Sequence, residues 1–279
     1  TTQIQKGSIY GLVGSNGSGK STFLRLIAGV YIPDGGTLQI DGQAVYENIA
    51  VKQRIFFVAD DLYFLPQSSM NDMAGFYRGI YHNFSDERYQ KLCDIFPLDP
   101  KKKITTFSKG MKRQAALLLG LACQPDLLLL DEAFDGLDPV MRGAVRKLLS
   151  DEIASREMTV LITSHNLREL EDLCDHVGLL HKGRILFERE IDELKLGFCK
   201  VHAAFPEGIG DEMLSGLDLM QVSRNGSLLN LIVRGRSADA SEYLLSKGAV
   251  FAEGVPLTLE EVFVHEMEAV GYDYNNIIF

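Results

Sequence analysis

The strongest chemical pattern in the chain is Gly14-Ser15-Asn16-Gly17-Ser18-Gly19-Lys20-Ser21-Thr22. It satisfies the spacing G-x-x-x-x-G-K-[ST], in which a glycine-rich turn lets successive backbone N–H groups converge on phosphate oxygens. Lys20 adds a point charge for the β and γ phosphates, and the Ser21 hydroxyl is placed to ligate Mg²⁺. A helix expected to start near Gly19 aims the positive end of its dipole at the same place. The stretch therefore binds a nucleotide phosphate, although by itself it names no reaction.

A second pattern supplies one. Four leucines at 127–130 run into Asp131-Glu132, which reads as a buried strand with two carboxylates at its end. Adjacent residues at a strand end point in different directions. One carboxylate, Asp131, is thus available to a metal while the other, Glu132, orients or deprotonates water. Two further polar clusters follow apolar runs in the same way: Asp60-Asp61 after 54–59, and Ser164-His165 after 158–163.

The elements that must position these groups alternate between strand and helix. The apolar run 9–13 feeds the glycine-rich turn, and residues 23–29 continue with helical spacing. Buried strands are expected at 55–58, 127–130 and 158–163. Helical patterns are expected over about 70–96, from Ser108 (a good N-cap) to about 123, and from Asn166 to 174. The aromatic cluster Phe76, Tyr77, Ile80, Tyr81 and Phe84 reads as core packing. This alternation predicts an α/β fold with a mainly parallel sheet through about residue 190. Ligands of such sheets gather at the carboxyl ends of the strands, where the Gly14–Thr22 loop, Asp60, Asp131-Glu132 and His165 all fall.

Beyond residues 194–197 the pattern changes to strands at 201–205, 219–223 and 227–233. The last two are joined by a turn containing Asn225-Gly226. A helix follows over about 240–247, and a capping box at Thr258-Leu259-Glu260-Glu261 opens another toward residue 270. The domain reading is accordingly 1–195, with an inserted helical part at about 62–125, and 196–279 as an α+β accessory region.

Composition narrows the class. The 279 residues carry 46% hydrophobic and 24% charged side chains, as in ordinary globular proteins. A net charge of −10 speaks against a broad nucleic-acid-binding face, so no nucleic-acid partner is expected. Four scattered cysteines suggest neither a zinc site nor a disulfide framework, in keeping with a reducing cytosol. The first residues contain no apolar stretch of secretory type, and the most apolar tract, 115–130, is interrupted by Gln124-Pro125-Asp126 and is too short to span a bilayer.

Taken in order, these motifs resemble the nucleotide-binding subunit of an ATP-binding cassette (ABC) transporter over residues 1 to about 195. Residues 16–22 match Walker A, 127–132 match Walker B with its catalytic glutamate, and Phe107-Ser108-Lys109-Gly110-Met111 stands in the place of the signature sequence. Gly136-Leu137-Asp138-Pro139 matches the D-loop and His165 the switch histidine. The tail at 259–263 resembles that of bacterial ABC-2, exporter-like subunits serving separately encoded permeases. The resemblance implies a P-loop NTPase using ATP and Mg²⁺, peripheral on the inner face of the membrane through a permease. Two subunits would close head to tail on two ATP molecules, in which Ser108 and Gly110 face the nucleotide of the partner, and Asp138 of the D-loop is a further nucleotide-binding residue. Glu132 would polarise the attacking water and His165 would hold the γ-phosphate in line. A soluble ABC machine of DNA repair or translation, and a weakly hydrolysing nucleotide sensor, are the competing classes.

The chain departs from the family pattern at three places. Where the family has the Q-loop glutamine, spacing from 55–58 puts Asp60, which would approach Mg²⁺ directly or through water; Gln67 is the other candidate. Lys109 replaces a signature glycine, either adding charge near the phosphate or pointing to solvent. Met111 replaces the signature glutamine and removes a hydrogen-bonding side chain. The aromatic that stacks on adenine in the family is left unassigned.

Overall fold

The structure is a computed structural model, described here for residues 1–193, 198–206, 210–255 and 257–263. It divides into two compact units, with the division between Glu188 and Arg189. The change of pattern read at 194–197 lies outside the described residues.

The first unit is organised by a six-stranded sheet. In chain order its strands are β1 (Ile9–Val13), β4 (Ile55–Val58), β5 (Leu127–Asp131), β6 (Thr159–Ser164), β7 (His176–His181) and β8 (Arg184–Glu190). They lie side by side as β4-β5-β6-β1-β7-β8, and those from β4 to β7 are parallel. The five residues of β1 are all buried, as are the six of β6. That is why these segments read as continuous apolar runs instead of alternating ones. The register brings the strand ends level: Val58 lies beside Leu130, Asp131 beside Thr163, and Val13 beside Ser164. One edge of the sheet thus collects every polar cluster that follows a strand.

Between β1 and β4 lie α1 (Lys20–Ile27), the small hairpin β2 (Gln39–Ile40) and β3 (Gln43–Ala44), and α2 (Ile49–Lys52). Leu24 and Ile27 of α1 pack with Tyr10, Leu12, Leu129 and Leu161. Burying each such side chain contributes about 1.5–3 kcal/mol, which ties the start of α1 to the sheet end. The helical part comprises α3 (Met70–Arg78), α4 (Asp86–Ile95) and α5 (Lys109–Ala122). The single helical pattern expected over 70–96 is two helices. Ser69 and Asp72 form a capping box at the start of α3, and Ser85 starts α4 afresh by accepting from Arg88 N at 3.1 Å. The ring cluster is divided as well. Tyr77 and Tyr81 pack on Phe56, with centroids 5.3 and 5.5 Å away, whereas Phe76 and Ile80 are exposed.

The unit continues with α6 (Pro139–Arg156) and α7 (Leu167–Glu171), the latter shorter than expected. Strands β7 and β8, not anticipated from sequence, are joined by Lys182-Gly183 with φ of 47° and 75°. Two successive residues at positive φ are the signature of a tight two-residue turn.

The second unit contains a four-stranded antiparallel sheet, β9 (Phe198–Ala204), β10 (Leu219–Asn225), β11 (Leu228–Arg234) and β12 (Phe251–Val255), in the order β10-β11-β9-β12. Helix α8 (Ser237–Ser246) covers one face through Ala240 and Leu244, against Val201, Leu229 and Leu231. Thr258 and Glu261 form the capping box expected from sequence; the helix anticipated toward residue 270 passes outside the described residues after 263.

Candidate nucleotide site

The loop between β1 and α1 closes on itself through a hydrogen bond from Ser18 N to Ser15 O, at 3.1 Å, and is braced by Gly183 N donating to Ser18 O at 2.9 Å. Gly14 is required by space. A Cβ there would stand 2.3 Å from Leu180 O and 2.5 Å from Ser18 Oγ, and the first of these is backbone that cannot swing aside. Asn16 and Gly17 are exposed at the loop crest, Ser15 and Gly19 are half-buried, and Ser18 and Lys20 are buried. Ser21 and Thr22 follow in the first turn of α1. With no acidic side chain in that turn, its N–H groups and dipole are directed to an anion.

Lys20 Nζ donates to Gly14 O at 2.6 Å and lies 3.3 Å from Glu132 Oε1. The other oxygen of Glu132, Oε2, accepts from His165 N at 3.3 Å and stands 2.9 Å from His165 Nδ1. The P-loop lysine, the strand-end glutamate and the histidine therefore form one continuous polar chain. Glu132 has a φ of 49°, a left-handed conformation that turns its side chain away from the line of β5. Its N–H is held by Thr163 O and Thr163 Oγ1, both at 3.2 Å.

Asp131 is 1% exposed and receives a 2.7 Å hydrogen bond from Thr163 Oγ1 on Oδ1. Its Oδ2 is buried and has no hydrogen-bond partner among the described residues. A buried carboxylate oxygen costs free energy unless a donor or cation engages it, so Asp131 fits a divalent cation beside the P-loop. Asp135, which sequence reasoning passed over, adds a third carboxylate. One of its oxygens lies within 4.8 Å of donor atoms of Glu132 and His165. Its position three residues after Glu132, in a turn closed by Asp135 N donating to Glu132 O at 3.1 Å, was the available signal.

The remaining predicted residues have local partners. Ser108 caps α5, its Oγ accepting from Met111 N at 3.2 Å, and Gly110 abuts the D-loop, where a Cβ would stand 2.5 Å from Gly136 O. Asp138 caps α6 by accepting from Met141 N at 2.9 Å. Lys109 is exposed. Among the described residues none of Ser108, Gly110 and Asp138 shares a hydrogen bond or ion pair with residues 14–22. Asp60 accepts from Arg113 Nη2 of α5 at 2.9 Å, and Gln67 accepts from Lys103 Nζ at 2.9 Å.

A parallel sheet with a glycine-rich phosphate-type loop after β1 and a metal-type carboxylate at the end of β5 defines a P-loop NTPase. Residues 1–135 match the ABC transporter domain family. The chain is 32% identical over 261 residues to the ABC transporter ATP-binding protein YtrB of Bacillus subtilis (strain 168), covering 94% of this chain and 89% of that protein. Among solved structures it is similar to an ATP-binding subunit of an ABC transporter, with a TM-score of 0.64 and 25% identity over 70% of this chain and 83% of that one. It shares its fold, at a TM-score of 0.62 and 21% identity over 68% of this chain and 88% of the other, with an ATP-binding cassette solved as a dimer bound to ADP and Pi. The chain belongs to the ABC transporter ATP-binding family. Among the described residues no helix is long and apolar enough to cross a membrane.

Proposed function

We propose that this chain is the ATP-hydrolysing subunit of a transporter, powering a separately encoded permease through head-to-tail closure of two nucleotide-binding subunits. The observation that carries this reading is the placement of Glu132 between Lys20 Nζ, at 3.3 Å, and His165 Nδ1, at 2.9 Å. A carboxylate so held beside a phosphate loop is positioned to become the base for an attacking water.

The chain's own residues suggest the order of events. When ATP enters, its phosphates compete with Gly14 O and Glu132 for Lys20. Capture of Lys20 by the substrate frees Glu132 Oε1, which then accepts the proton of the attacking water. His165, 42% exposed on its side chain, keeps one ring nitrogen on Glu132 and has the other available for the γ-phosphate. Ser21 and Asp131 would hold Mg²⁺. When bound, Mg²⁺ neutralises charge on the β and γ phosphate oxygens. Among the described residues Ser108 and Gly110 share no hydrogen bond or ion pair with the chain's own P-loop, which is consistent with their serving the nucleotide of a second subunit. A protein with the same fold solved as a dimer bound to ADP and Pi supports the pairing of two subunits. Exposed Tyr63, Leu65, Phe76 and Ile80 give the helical part an apolar surface suited to a permease.

The test is Glu132→Gln, assayed with the cognate permease reconstituted in vesicles. Turnover is expected to fall by about 10²–10⁴-fold, the usual loss for a general base, while ATP is still bound and a dimer accumulates by light scattering. Turnover equal to the parent protein would remove Glu132 from the mechanism.

A further inference from the structure

We propose that Arg113 is a positioning residue that clasps the signature-bearing helix α5 to the end of β4 through Asp60, and that the Asp60 carboxylate serves this clasp instead of the metal. The inference rests on the composite-site reading above. Arg113 sits at the second turn of α5, three residues after Gly110, and its side chain has 0% exposure. Its guanidinium leaves the helix and donates three bonds to one short stretch: Nη1 to Ala59 O and to Asp60 O, both 3.2 Å, and Nη2 to Asp60 Oδ1, 2.9 Å. The two Nη atoms of the planar fork reach two carbonyls and a carboxylate, while Nε is buried without a hydrogen-bond partner among the described residues. Engagement of both Nη atoms fixes direction as well as distance, which a lysine could not do.

The Asp60 side chain is 56% exposed, so the ion pair itself contributes little to stability. Its effect is geometric. Moving α5 relative to β4 would strand a buried cation, so the two elements move together or the clasp opens. At its N-terminal end the same helix packs closely on the D-loop, where Gly110 leaves no room for a Cβ beside Gly136 O. The signature segment thus packs on the D-loop at one point and is hydrogen-bonded at another to the residues that follow β4. A carboxylate whose charge is committed to a guanidinium is also a poor additional ligand for Mg²⁺. Asp60 in the glutamine position would then set where Ser108 and Gly110 stand for the partner's nucleotide.

The test uses the full chain carrying Glu132→Gln, with ATP and Mg²⁺. Asp60→Asn and Arg113→Lys are each expected to weaken the ATP-dependent dimer about tenfold, with the double variant no weaker than the weaker single, as for two groups acting as one unit. Asp60→Glu, which keeps the charge, is expected to recover affinity. Mn²⁺ affinity of the ATP-loaded monomer, followed by electron paramagnetic resonance, is expected to be unchanged in Asp60→Asn. A loss of Mn²⁺ affinity in Asp60→Asn but not in Arg113→Lys, or additive losses in the double variant, would overturn the proposal. If Arg113→Lys does not fold, Asp60→Asn against Asp60→Glu decides alone. Failure of the parent to dimerise with ATP would count against the composite site only. Hydrogen exchange over residues 109–114 then reads the clasp in the monomer: faster exchange in Asp60→Asn supports it, and unchanged exchange refutes it.

Discussion

Asp131 and Glu132 are neighbours in sequence with different surroundings, and one hydroxyl serves both. Thr163 Oγ1 donates to Asp131 Oδ1 at 2.7 Å and accepts from Glu132 N at 3.2 Å. It thereby fixes the metal-type carboxylate and the turn that redirects the glutamate. Thr163→Val keeps the shape of the β-branched side chain and removes both bonds, leaving a buried carboxylate oxygen without its donor. The expected cost is about 1–3 kcal/mol by urea denaturation, together with a weaker dependence of ATP binding on Mn²⁺. Unchanged stability and metal dependence would show that the hydroxyl is incidental. Lys20, Asp131, Glu132 and His165 were legible in the sequence because their types and strand-end positions carry the chemistry. Thr163 and Arg113 were not, because their partners lie 32 and 53 residues away and only the sheet register and the packing of α5 bring them together.

The turn bearing His165 and the D-loop are joined by a partly buried link between elements. Ser164 Oγ, at the end of β6, donates to Glu169 Oε2 of α7 at 3.0 Å. Glu169 Oε1 accepts from Arg142 Nη1 of α6 at 2.7 Å, and Arg142 Nε donates to Leu137 O at 3.0 Å. Leu137 precedes the α6 cap Asp138, so these bonds connect the D-loop to the residue before His165. Glu169→Gln and Arg142→Lys are expected to couple by about 0.5–3 kcal/mol in a double-mutant cycle on unfolding free energy, with His165-dependent turnover falling in each single variant. Additive stabilities and unchanged turnover would leave the link without function. At this scale the central strands were legible from their apolar runs. The break between α3 and α4 was not, because the apolar spacing continues through 79–84 and only the Ser85 cap restarts the helix. Strands β7 and β8 escaped because their pairing depends on the Lys182-Gly183 turn, where the first left-handed position is a lysine.

For the whole molecule, the second unit has its own core and its own electrostatic lock. Lys200 of β9 meets Glu261 at 2.7 Å, and the same carboxylate accepts from Thr258 N at 3.0 Å and Thr258 Oγ1 at 3.1 Å. Partial burial pushes the Glu261 carboxyl up, but the hydrogen bonds from Lys200 and Thr258 together outweigh it and hold the group below its ordinary 4.5. The folded chain therefore keeps this carboxylate ionised at a pH where the unfolded chain has begun to bind the proton. Its stabilisation is fully present above 4.5 and is lost as pH falls through the depressed folded value. Glu261→Gln should lower the stability of the second unit by up to about 1 kcal/mol at neutral pH, a modest figure because the group is partly exposed and screened. The gap between parent and variant should narrow steadily in melting curves recorded at successively more acid pH. A gap that widened on acidification would mean that the carboxylate is worth more protonated than charged, and that the bonds from Lys200 and Thr258 do not hold this segment in place.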